Sequence, residues 1–73
     1  MPERLPPLRP RQVARDLEKA AFVLIRGTGS HAHYRRGVLT VTVPMHARDL
    51  ARGTLASSLR QARMTPEEFK KLL

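Results

Sequence analysis

The sequence predicts an α+β fold, in which two helices pack on one face of a three-stranded antiparallel sheet in the order α-β-β-β-α, with a short terminal helix closing the chain. Three observations predict it. A helical repeat of apolar residues starts at Pro10, three strand-type runs between Phe22 and Pro44 are separated by glycine turns, and helical spacing resumes at Thr54.

The chain opens on MPERLPPLRP, with four of its six prolines at positions 2, 6, 7 and 10. Residues 1–9 therefore read as an extended, Pro-rich extension, and residues 10–73 as one domain. Pro10 suits the first helical position, where its missing N–H costs nothing. From there Val13, Leu17 and Ala20 or Ala21 fall on one helix face, and Arg11, Arg15, Glu18 and Lys19 on the other. Phe22-Val23-Leu24-Ile25 is a strand-type run that ends at Gly27-Thr28-Gly29, where paired glycines mark a turn. His31 to Tyr34 follows as a strand, Arg35-Arg36-Gly37 as a tight turn, and Val38 to Val43 as an alternating β-branched strand ended by Pro44. Strands joined by such short turns form an antiparallel meander. Met45 to Arg52 is polar and irregular. Leu55, Leu59 and Ala62 make the apolar stripe of a helix over Thr54 to Arg63. Thr65-Pro66-Glu67-Glu68 then signals a last helix, capped by Thr65 and anchored on the core by Phe69, Leu72 and Leu73.

Composition narrows the function. A chain of 73 residues supports a single core. Its six acids stand against fourteen Lys and Arg, for a net charge of +8, and eleven of the fourteen are Arg. The planar guanidinium matches phosphate geometry, so the balance points to a polyanion. Nucleic acid is favoured over a lipid surface, because the basic residues spread from Arg4 to Lys71 rather than along one helix. The absence of Cys excludes disulfides and thiolate metal sites, and an unbridged domain of this size suits the cytoplasm. The longest apolar run, Ala20 to Ile25, falls far short of the ~20 residues that span a bilayer. The first residues lack a signal-peptide core, so neither secretion nor a membrane partner is expected.

The candidate chemistry centres on histidine. His31 and His33 leave the same face of their strand, and His46 follows Pro44 in a loop that the meander can bring near them. Gly29-Ser30 offers a narrow, flexible approach with backbone N–H groups that a phosphate can meet. Arg26, Arg35 and Arg36 flank it, and Arg48 lies just beyond His46. An imidazole that titrates near neutral pH amid fixed cations has the parts for phosphodiester chemistry. The blander state of each His is a surface residue or a ring bonded within the sheet. A metal site built from His31, His33 and His46 is the other alternative. Against it, only Asp49 is at hand as a supporting carboxylate, and the arginines oppose a dication, so no metal or cofactor is expected. Ser30 reads as a hydrogen-bonding residue rather than a nucleophile, since adjacent strand residues face opposite ways and no acid orients His31. GTGS is neither a Walker loop nor a dinucleotide fingerprint. With only Tyr34, Phe22 and Phe69, a base-stacking platform is weak, and both Phe residues read as core.

In order, Phe22 to Arg26, Gly29-Ser30-His31, Tyr34-Arg35, Val43-Pro44-x-His46, Arg52-Gly53-Thr54-Leu55 and Thr65-Pro66-Glu67-Glu68-Phe69 resemble the HicA family of toxins. These are small mRNA-cleaving ribonucleases of type II toxin–antitoxin systems, and the resemblance covers nearly everything from Pro10 to Leu73. It implies a fold like that of double-stranded-RNA-binding domains, His31 as the catalytic residue, and a HicB-type antitoxin that covers the site. The chain departs from the pattern at Ala21, where relatives often carry Gly, in its short hairpin, and at Ala32, where a second His often follows the motif. The expectation is therefore an endoribonuclease acting on mRNA through His31. Arg26, Gly29, Ser30, Arg35, Arg36 and Arg48 would contact RNA, with His46 as a second proton-transfer group. The alternative is a non-catalytic module that holds structured RNA by shape.

Overall fold

A computed structural model describes residues 7–45 and 49–73. Its elements run α1 (Pro10–Lys19), β1 (Val23–Thr28), β2 (His31–Arg36), β3 (Leu39–Pro44), α2 (Arg52–Ala62) and α3 (Pro66–Lys70). The strands form one antiparallel sheet in the order β1-β2-β3, so β2 is central. This is the expected α+β order.

Helix α1 starts at Pro10 and buries Val13, Ala14 and Leu17. It packs on β1 and β3, while α2 packs on β3 through Leu55, Leu59 and Ala62. Ala32, Tyr34, Val41 and Val43 supply the sheet's side of the core. His31 and Arg35, which alternate with Ala32 and Tyr34 along β2, are exposed, so the sheet keeps one face open. Helix α3 closes the core with Phe69, the largest fully buried side chain among the described residues. Its start is the expected capping box: Thr65 Oγ1 accepts from Glu68 N at 3.1 Å, and Glu68 Oε1 accepts from Thr65 N at 2.9 Å. Leu8, in the stretch read as an extension, is also buried, and its carbonyl accepts from Leu50 N at 2.8 Å.

The turns fall one step away from where glycine spacing put them. Both hairpins close on two-residue loops, Gly29-Ser30 between Thr28 and His31 and Gly37-Val38 between Arg36 and Leu39. Gly29 and Gly37 take φ of 54° and 59°, a positive φ confined to the first loop position as in a type II′ turn. That requirement assigns one glycine to each loop. Gly27 and Thr28 therefore stay in β1, Arg35 and Arg36 stay in β2, and Val38 sits at a turn tip rather than opening β3.

Helix α1 exits through a left-handed residue despite having no glycine there. Ala21 takes φ 71°, its N–H donates to Glu18 O, and the Phe22 N–H donates to Leu17 O at 2.9 Å. This is a Schellman closure, sealed by the buried pair Leu17 and Phe22. Helix α2 ends the same way, with Arg63 at φ 56° and Met64 N–H donating to Leu59 O. Periodicity also hides Asp16, a fully buried acid on α1. Gln12 Nε2 donates to it at 3.2 Å, and Lys19 Nζ lies 3.6 Å away while donating to Leu72 O at 2.8 Å. The carboxylate thus ties α1 to the end of the chain.

Candidate active site

Residues directly opposite in an antiparallel sheet share a face, so register decides which side chains meet. On the open face His31 stands between Thr28 and Pro44, His33 between Arg26 and Thr42, and Arg35 between Val23 and Thr40. The spacing of His31 and His33 already implies a common face, and Arg35 joins them because β2 runs on to Arg36 instead of turning at Arg35. Arg26 joins them for a different reason. The β1–β2 register shifts between Leu24 and Arg26, leaving Ile25 as the extra residue of a bulge. Strict alternation would put Leu24 and Arg26 on one face. The bulge instead sets Leu24 against Tyr34 on the helix side and Arg26 against His33 on the open side.

Two side-chain networks hold the rings. Ser30 Oγ lies 3.3 Å from His31 Nδ1. Ser30 belongs to the turn rather than to β2, which frees its hydroxyl from the alternation that would otherwise aim it away. His33 is clasped on both nitrogens, with Thr28 Oγ1 3.3 Å from Nε2 and Thr42 Oγ1 3.1 Å from Nδ1. Its ring therefore staples the three strands together, a role legible only once the pairing sets Thr42 opposite it and Thr28 on the diagonal. The half-buried His33 contrasts with the exposed His31.

Arg36 is separated from the group. It pairs with Leu39 at the far end of β2, on the helix side, where Nη1 donates to Ala20 O at 2.8 Å and the guanidinium lies 4.9 Å over the Phe22 ring. Arg35 Nε donates to Gly37 O at 2.8 Å, anchoring the base of its side chain. Tyr34 also belongs to the helix side; burial pushes its phenol up, and the Glu18 carboxylate adds to that shift. Among the described residues, no group of three His, Cys, Asp or Glu side chains is placed to hold a metal ion. His46 and Arg48 lie outside the described residues. The chain leaves β3 at the His31 end of the sheet, where Met45 N–H donates to Ser30 O.

A family model for the HicA toxin of bacterial toxin–antitoxin systems matches residues 10–64. The chain belongs to the HicA toxin family. It is thus a toxin of a toxin–antitoxin system, and membership implies a cognate antitoxin. No curated protein matches the sequence. The HicA match takes in α1, the whole sheet and α2, including the Gly29-Ser30-His31 turn. Helix α3 lies beyond it, although the HicA core is completed by its Phe69. No helix among the described residues is long and apolar enough to cross a membrane.

Proposed function

We propose that this toxin is an endoribonuclease that cleaves mRNA on the open sheet face, with His31 as its acid–base residue and a HicB-type antitoxin as its inhibitor. The observation that carries the reading is the grouping of the exposed His31 with Arg26 and Arg35 on a face that no helix among the described residues covers. Arg26 and Arg35 would hold the scissile phosphate, and the Gly29-Ser30 turn would admit it close to the backbone beside His31.

In the proposed step, His31 takes the proton from a ribose 2′-hydroxyl as that oxygen bonds to phosphorus. The bond from phosphorus to the 5′-oxygen breaks, and the leaving oxygen is protonated by a second acid, for which His46 is the candidate. The products are a 2′,3′-cyclic phosphate and a 5′-hydroxyl. An attacking group carried by the substrate supplies proximity, and the guanidiniums stabilise charge building on phosphorus. His33 contributes no proton transfer, because both its nitrogens serve the threonine clasp.

The test compares wild type and His31→Ala on a defined RNA, with and without chelator, by mapping the product ends and measuring affinity. Loss of cleavage by ~100-fold or more with affinity retained is expected of a general acid–base residue. A His31→Ala protein that still cleaves, or one that still arrests growth without cleaving, overturns the reading; the second result would favour a pure RNA binder. Strict dependence on added divalent metal with 3′-hydroxyl ends would overturn the 2′-hydroxyl step.

A further inference from the structure

The fold treats the two edges of its sheet differently. On β3, the outward backbone of Thr42 is capped by α2, with its N–H donating to Gln61 Oε1 at 3.0 Å and its carbonyl accepting from Ser58 Oγ at 3.2 Å. On β1, no residue among those described bonds to the outer backbone. Every β1 residue is exposed, and Val23, Leu24 and Ile25 are 62%, 51% and 53% exposed in succession. Folded proteins cover or charge an apolar edge of this kind, because it templates a further strand.

We propose that β1 is a docking edge that takes up an extended acidic strand of the antitoxin, adding a fourth strand to the sheet. Charge decides the occupant. Arg26 and Arg35 stand on the open face of β1 and of its neighbour β2, and the chain carries a net +8. A second copy would bring the same cations against themselves, whereas an acidic strand gains at each. RNA offers neither a ladder of N–H and C=O groups nor side chains to cover Val23 to Ile25. A strand alternating apolar and acidic residues offers both, its apolar positions on the helix side beside Leu24 and its acids on the open face beside Arg26. The inference rests on the toxin–antitoxin reading and gives neutralisation a geometry, since the docked acids occupy Arg26, one of the guanidiniums assigned to phosphate.

The probe is the cognate antitoxin, copurified with the full chain. Amide hydrogen exchange is measured on the free chain and the complex, and antitoxin affinity by calorimetry for wild type and Ile25→Lys, whose unaltered melting confirms its fold. The outward amides of β1 are expected to slow by about tenfold or more in the complex. Ile25→Lys is expected to weaken antitoxin binding about tenfold while the free toxin keeps its RNA cleavage. A complex in which the β1 amides exchange as in the free chain, or an Ile25→Lys variant with wild-type affinity, overturns the docking edge and leaves the toxin–antitoxin reading standing. Failure to form any complex overturns both.

Discussion

Arg26 and Arg36 look equivalent in the sequence, each a cation close to the Gly29-Ser30-His31 turn, yet they lie on opposite faces of the sheet. Substituting each by Ala should separate them. Arg26→Ala should weaken RNA binding with stability unchanged to within ~0.5 kcal/mol. Arg36→Ala should leave RNA affinity near wild type and destabilise the fold by about 1–2 kcal/mol, through loss of the Ala20 bond and the Phe22 stack. Filter binding and urea melts read the two effects independently. Ala21 offers a gain in the other direction. Its left-handed φ of 71° strains any residue with a Cβ, so Ala21→Gly should stabilise the toxin by about 1 kcal/mol, or ~5 °C in Tm.

At the scale of elements, α3 is short, and its capping box is what starts it. The Thr65 backbone N–H, then the Thr65 hydroxyl, hold the Glu68 carboxyl below its usual range. A carboxylate whose folded pKa is depressed contributes stability that is complete above its unfolded pKa, about 4.3, and lost as pH falls through the lower folded value. Acid titration of Tm should therefore show a decline below about pH 4. Glu68→Gln, whose amide still accepts from the Thr65 N–H, should make that part of the curve flatter. Unchanged curves in the two proteins would show that the cap does not couple to the fold. The strands carry a similar lesson about position. Glycine spacing marks where a hairpin can close, but the positive φ at the first loop residue is what sends Val38 to a turn tip and keeps Arg35 and Arg36 inside β2.

For the whole molecule, the helices lie on one side and the cations of the other side face water. Binding of single-stranded RNA should weaken linearly in log–log plots against salt, by about 0.7 for each phosphate neutralised. Arg26→Ala should lower that slope by roughly one such increment, whereas Arg36→Ala should leave it unchanged. Affinities measured across a salt series check both. A slope that Arg26→Ala does not alter would place the RNA elsewhere on the surface.

The sequence alone determined the element order, the helix faces, the capping box and the shared face of His31 and His33, because each follows from local periodicity or from residues within one turn of each other. It also carried the motif that marks the chain as a HicA toxin. Tertiary structure decided what depends on strand register and on distant partners. The bulge at Ile25 moves Arg26 to the histidine face, the threonine clasp occupies His33, and Phe22 draws Arg36 away. Alternation cannot report a one-residue slip between strands, and such a slip moves a side chain from the helices to the open face.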